Sequence, residues 1–521
     1  MTATVMLPLN LTAERLESLA GTARVEVDLY PEAEQRMTAA RNGLLELLAA
    51  GTPVYGATTG FGPHVRYPAD GDPSAQGASL IAHLASGTGD PVEPELVRAT
   101  ILVRANSLAR GHSGMRAETL RALLGLVRAG VVPTVPRFGS VGASGDLIPL
   151  AHIARALTGE GRVLADGPGS RPAAEALAEA GLSRVGLDAR EALALVNGTS
   201  YSTAMAAMAL ARTRRLLHRA VDLTGWLYAS LGAQEQALDP RLHAVRGQSA
   251  QQRAAAAVRE AVAAALPGVP SPAGTSTGDE ESGVGEGAGR TSLPERPLQE
   301  VYSLRCAPQV LGPTFELTGL AGRMIEDELA GVSDNPVLVD ATAAGLGWEA
   351  LHGGNFHAAA TATAADLLTG ALTQAAVLAE RQIDVLMCPA TSRAPLLLAS
   401  RPGAQAGLAG AQLTASAVLA AARHACGWAS TMSVPTNAGN QDIVPMAPLA
   451  ARTSLEQSDR LASILAVLAI SLVQFQHLRA RGLAPGRAAL PPAWMPWVEG
   501  FDQDVETHSM IEIVREGILA P

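Results

Sequence analysis

Residues 139–152 read Gly139-Ser140-Val141-Gly142-Ala143-Ser144-Gly145-Asp146-Leu147-Ile148-Pro149-Leu150-Ala151-His152. The first seven are small residues that favour an irregular turn, and Pro133 and Pro136 break the chain just ahead of them. Asp146 suits a helix N-cap and Pro149 a first turn, so the stretch reads as a tight bend opening a helix. Outward from it, helical patterns cover Pro31 to Ala50 and Pro94 to Gly130. They cover Arg190 to Leu231 as well, apart from a break at Asn197-Gly198-Thr199. Residues 51–90 are glycine-rich and read as an irregular loop. Long Ala/Leu-rich helices are predicted at about 356–387, 406–427 and 451–480. The expected fold class is mainly α, with a loop-rich N-terminal part and a long central helical bundle. The expected division is 1–200, 201–480 and 481–521, with a Pro/Gly/Ser/Thr-rich surface loop at 267–297.

Composition narrows the chemistry. Of 521 residues, 48% are apolar, 17% charged and 3% aromatic, which suits closely packed helices. The net charge of −10 argues against nucleic acid or an anionic membrane as main partner. All 39 basic residues are arginine. With no lysine, a pyridoxal phosphate Schiff base and a Walker-type phosphate loop are both excluded. Cys306, Cys388 and Cys426 form no zinc pattern and read as buried free thiols of a reducing cytosol. No basic segment with an apolar run stands near residue 1, so no leader is expected. The apolar run from Leu461 to Phe475 is shorter than the roughly 18 residues of a membrane span and reads as a core helix.

Ala143-Ser144-Gly145 admits two readings. One is an ordinary turn before a helix. In the other, the Gly145 nitrogen attacks the Ala143 carbonyl, glycine permitting the close approach. Loss of water closes a five-membered ring, and loss of the Ser144 hydroxyl leaves an exocyclic methylene, a strong electrophile.

The surrounding blocks bear on that choice. They are Tyr55 to Gly62 (YGATTGFG), Gly139 to His152, Leu195 to Thr199 (LVNGT) and Tyr302 to Gln309 (YSLRCAPQ). Ser333 to Pro336 (SDNP), Gly353 to His357 (GGNFH) and Asn440 to Asp442 (NQD) follow. In kind and order this series resembles the methylidene-imidazolone-dependent aromatic amino acid ammonia-lyase and aminomutase family. The resemblance implies the histidine/phenylalanine ammonia-lyase-like fold and a 4-methylidene-imidazol-5-one formed autocatalytically from Ala143, Ser144 and Gly145, with no metal. It implies Tyr55 as general base, a phenol whose pKa must be tuned down, and Tyr302 as a residue of catalysis or cofactor formation. Arg305 matches the substrate-carboxylate clamp. Asn197 and Gln299 match polar groups near cofactor and carboxylate, Gly62 part of the pocket, Asn355 and Phe356 its wall, and Asn437 and Gln441 groups near the amine and ring. It further implies a cytoplasmic homotetramer with active sites shared between subunits.

Two positions bear on the substrate. The pair His83-Leu84 resembles that of the family's tyrosine enzymes, and an imidazole can pair with a phenol that would be costly to bury alone. Asn440-Gln441-Asp442 lacks the glutamate of the histidine enzymes. The expected reaction is therefore conversion of L-tyrosine to trans-4-coumarate and ammonia. A tyrosine 2,3-aminomutase, a phenylalanine or broad aromatic lyase, and a non-catalytic assembly protein are the alternatives. Asp146 is expected either to cap its helix or to assist ring formation. His112, in Gly111-His112-Ser113-Gly114, stands where many relatives carry tyrosine, with no consequence evident from sequence.

Overall fold

In the computed structural model, which describes residues 4–69, 71–165, 167–266 and 296–520, helices dominate. The predicted surface loop lies outside these residues except for Arg296 and Pro297. The break at Asn197-Gly198-Thr199 separates helices Ala189–Val196 and Ser200–Leu231. Asp188 caps the first of them, its carboxylate accepting from the Glu191 N–H at 2.9 Å. The three long helices run Ala359–Met387, Ala409–His424 and Ala447–Ala480.

The region read as an irregular loop is corrected in one part. Residues Pro73–Leu84 form a helix. Its start carries both expected signals: Asp72 accepts from the Ala75 N–H at 3.2 Å, and Pro73 occupies the first turn. Flanking glycines diluted that signal in composition. The apolar run ending at Phe475 belongs to a helix of 34 residues, Ala447–Ala480, close to the expected 451–480. Ser463 and Ser471 do not interrupt it, because their hydroxyls return to the carbonyls of Asp459 and Val467 at 3.0 and 2.7 Å. This helix and Ala359–Met387 are long and apolar enough to cross a membrane, yet 78% of each apolar window is buried in the protein. The thiols are also corrected: Cys426 is exposed, and Cys306 and Cys388 are only partly covered.

The chain packs as two compact units. Unit one comprises Met1–Ala211, Gly319–Thr369 and Gly427–Leu455; unit two comprises Arg212–Thr318, Gly370–Cys426 and Glu456–Pro521. This division is discontinuous, unlike the contiguous one expected from sequence, because distant stretches pack together. Unit two is a helical bundle whose core joins Trp226, Leu227, Leu304, Leu372, Ile383, Leu465 and Phe475. Unit one carries short helices and short two-stranded pairings, such as Val337–Asp340 against Trp348–Leu351. His112 ties into this pairing: its ring nitrogen meets the Leu338 carbonyl at 2.9 Å, and its own carbonyl accepts from the Leu338 N–H at 2.8 Å. The residue that sequence left unexplained is thus engaged in scaffold contacts.

Unit one also buries an ion pair. Arg190 donates to Asp334 at 2.5 Å, to the Pro336 carbonyl at 3.1 Å and to the Ser113 carbonyl at 2.9 Å. Replacing one partner alone strands the other charge without water. Arg190→Met is expected to cost about 3–5 kcal/mol in urea denaturation, with partial recovery in Arg190→Met/Asp334→Leu. A cost near zero for the single change would show that Asp334 has another counter-charge.

Candidate functional site

The bend at 142–145 is built from backbone. Gly142 and Gly145 take left-handed φ values of +75° and +73°. Gly142 and Ala143 each form a bridge to Gly145, so the chain folds back on itself across Ser144. A Cβ on Gly145 would lie 2.5 Å from the backbone nitrogen and oxygen of Gly198. Only glycine fits there. Gly198 in turn faces Arg104, whose guanidinium a Cβ would meet at 2.0 Å. Arg104 is fully buried and donates to the Ala194 carbonyl at 2.9 Å and the Ser333 carbonyl at 2.6 Å. Burial lowers its pKa to about 10, which leaves it charged at neutral pH. None of these three close approaches is visible in sequence.

Asp146 precedes helix Leu147–Thr158 but makes no side-chain cap bond. Asp146 holds the N-cap position as expected, but its carboxylate is turned elsewhere: it accepts from the Ser202 N–H at 2.8 Å, the Ser202 hydroxyl at 2.6 Å and the Ser140 hydroxyl at 2.9 Å. Its backbone N–H donates to the Gly198 carbonyl at 2.7 Å. Burial pushes the carboxyl pKa up, and the Ser202 and Ser140 bonds oppose the rise. Ser140 also accepts from the Gly142 N–H at 3.1 Å. A hydrogen-bonded chain therefore runs from Ser202 through Asp146 and Ser140 to the residue before Ala143.

Ser144 faces a cavity of about 1260 Å³ within unit one. Of the sequence-predicted residues, Tyr55, Gly62, His83, Leu84, Ala143, Ser144, Gly145, Asn197, Phe356, Asn437 and Gln441 line it. Asn355 does not; it is exposed beside Phe356. Sequence reasoning missed His64, Gln76, Asn335, Thr436 and Asn440, which also line it. Only Asn440 and Asn335 lay inside quoted blocks. Among the described lining residues there is no carboxylate.

The polar groups are aimed. The Gly62 N–H donates to the Tyr55 hydroxyl at 2.7 Å. Burial raises the Tyr55 pKa and this bond lowers it, the former prevailing, so the lowering expected from sequence is not supplied by these surroundings. Asn197 Nδ2 donates to the Ser144 carbonyl at 2.8 Å, while its Oδ1 is buried without a partner among the described residues. Gln441 Nε2 lies 2.8 Å from Ser144 Oγ. Gln441 is fixed by a turn in which Asn437 and Ala438 both take φ of +55°. Left-handed backbone at non-glycine residues costs about 1–3 kcal/mol each, which other contacts must offset. His83 sits in the last turn of helix Pro73–Leu84, its Nδ1 3.0 Å from the Ser79 carbonyl. That carbonyl only accepts, so Nδ1 is the donor in this contact, and in a neutral ring Nε2 is then the acceptor.

Gln299, Tyr302 and Arg305 belong to unit two and do not line this cavity. Gln299 and Arg305 line a separate cavity of about 500 Å³ with Gln234, Glu300 and Gln309. The Arg305 guanidinium lies 4.7 Å from the Tyr302 ring centroid, and its Nε is buried without a partner among the described residues. Tyr302 is 70% exposed. Among the described residues, no cluster of three His, Cys, Asp or Glu side chains is arranged for a metal.

Comparison with known proteins adds the following. The sequence model for "aromatic amino acid lyase" matches residues 11–492. A histidine ammonia-lyase of Myxococcus xanthus is 36% identical over 511 residues, 96% of this chain and 94% of that protein. One from Aromatoleum aromaticum is 36% identical over 486 residues, 92% of this chain and 86% of that protein. The crystal structure of tyrosine aminomutase from Streptomyces globisporus superposes with a TM-score of 0.86 at 30% identity, covering 99% of this chain and 97% of that one.

The Tyr55 environment predicts a pH dependence. Its folded pKa lies above the unfolded value of 10. The associated stability is fully present below pH 10 and is lost as pH rises through the folded pKa. The stability difference between the native protein and Tyr55→Phe should therefore shrink above pH about 10, read from urea midpoints. A difference independent of pH would contradict the assigned burial.

Proposed function

Because the chain belongs to the aromatic amino acid lyase family, we propose that it eliminates ammonia from L-tyrosine to give trans-4-coumarate. The observation that carries this reading is that His83 lines a cavity with no described carboxylate; with Nδ1 bonded to the Ser79 carbonyl, the Nε2 of a neutral ring is free to accept from a phenol. The cofactor would come from Ala143-Ser144-Gly145. The fit rests on the Gly145 seat that only glycine can occupy, on the fold-back of Ala143 to Gly145, and on the two amides aimed at Ser144. A methylidene-imidazolone at this position supplies an electrophilic carbon able to capture the substrate amine.

The chain's own residues do the rest. Tyr55, with its oxygen held by the Gly62 N–H, is proposed to take the β proton; that N–H would also steady the phenolate. Leu84 and Phe356 wall the aromatic ring, and Asn437 and Gln441 face the polar end. Arg305 would clamp the carboxylate through paired N–H bonds, with Gln299 beside it. In the proposed homotetramer another subunit supplies Tyr302, Gln299 and Arg305. Asn355 is the weakest of the proposed contacts, since it lies off the cavity.

A second reading has its own support: both relatives at 36% identity are histidine ammonia-lyases. An imidazole substrate would lack an acidic partner among the described lining residues. The tyrosine aminomutase likeness marks a third outcome of the same chemistry. Purified protein supplied separately with tyrosine, phenylalanine and histidine discriminates among them. The expected product is coumarate, without β-tyrosine; urocanate as main product would establish the histidine reading instead. His83→Phe should lower the tyrosine-over-phenylalanine ratio of kcat/KM by about a hundredfold. Ser144→Ala should abolish turnover while leaving the urea midpoint nearly unchanged.

A further inference from the structure

Thr436 bonds the Gln441 side chain, whose other end meets the Ser144 hydroxyl. The Thr436 hydroxyl lies 2.6 Å from Gln441 Oε1, and Gln441 Nε2 lies 2.8 Å from Ser144 Oγ. A separation of 2.6 Å suits an O–H···O bond and is short for N–H···O, so the amide oxygen faces Thr436 and the NH₂ faces Ser144. Two backbone bonds close the same turn: the Thr436 N–H donates to the Gln441 carbonyl at 3.0 Å, and the Gln441 N–H to the Thr436 carbonyl at 3.3 Å. On the other side of Ser144, Asn197 Nδ2 donates to the Ser144 carbonyl at 2.8 Å.

We propose that Thr436 is a positioning residue for the self-modification of Ser144, orienting Gln441 so that its NH₂ assists departure of the Ser144 hydroxyl. The inference rests on the reading that Ala143-Ser144-Gly145 condenses. In the first step the Gly145 nitrogen bonds to the Ala143 carbonyl carbon. The carbonyl oxygen leaves as water with the protons of the Gly145 and Ser144 nitrogens, and a C=N bond forms between Ala143 and Ser144. In the second step the electron pair of the Ser144 Cα–H bond becomes the Cα=Cβ bond. Oγ departs as hydroxide and takes up the Cα proton, so a second water is lost and nothing is oxidised or reduced. The two amides act on opposite ends of that second step. The Asn197 N–H, on the Ser144 carbonyl, stabilises negative charge as Cα loses its proton. The Gln441 N–H, on Oγ, stabilises the leaving oxygen. With the amide turned over, its oxygen would face Oγ and could not donate.

The test is a time course of intact mass on freshly synthesised chain, with urea midpoints as the control for folding. The native protein should lose the mass of two waters. Thr436→Val should close the ring but lose the second water at least tenfold more slowly, accumulating a species one water heavier than the mature chain. Thr436→Ser should recover the native rate. Gln441→Leu should show the same lag through direct loss of the donor, and it keeps the test decisive if Thr436→Val does not fold. Maturation of either Thr436→Val or Gln441→Leu at the native rate would overturn the assignment. A native chain that loses no water would remove its premise and the cofactor reading together, a failure visible before any variant is made.

Discussion

Backbone against backbone, at Gly145 and Gly198, is the contact on which the site depends. No side chain can intervene there, since a Cβ on Gly145 would meet Gly198 atoms at 2.5 Å. Packing this tight lets the Asp146 N–H reach the Gly198 carbonyl and brings Asn197 to the Ser144 carbonyl. Behind Gly198, Arg104 ties the chain at Ala194 and Ser333. A buried guanidinium costs desolvation, and here several carbonyls offset it without a directly bonded carboxylate.

Around that contact the polar groups fall into two sets with different tasks. Ser202 and Asp146 are buried, and Ser140, half-buried at the cavity wall, joins them to the turn. Gln441, Asn197 and Tyr55 line the cavity and face what enters it. The strained turn at Asn437 and Ala438 belongs to the second set, where backbone cost is tolerated because it aims side chains. Gly62, whose Cβ would sit 2.8 Å from Asn437 Nδ2, shows how closely the Tyr55 loop approaches that turn.

The residues assigned to the substrate carboxylate belong to unit two. The Arg305 Nε is buried without a partner among the described residues, and Tyr302 offers most of its surface to solvent. A guanidinium over an aromatic face keeps N–H donors that a carboxylate can use.

Local chemistry was legible in the sequence. Glycine and proline punctuation located the bend at 139–145 and the break at 197–199, and Ala/Leu-rich runs located the long helices to within a few residues. The absence of lysine excluded whole classes of cofactor. Ordered blocks brought most of the cavity's residues to notice. Sequence missed helix Pro73–Leu84, whose glycines masked a good cap, and so did not see that His83 ends a helix. It located Asp146 at the helix start but not where its carboxylate turns, because the choice between its own helix and a distant Ser202 is not a local one. Tertiary structure alone decided that Gly145 must be glycine, that Arg104 packs behind Gly198, and that Thr436 bonds the Gln441 side chain. Each of these is a contact between residues far apart in the chain or a choice of side-chain direction, and neither leaves a local pattern to read.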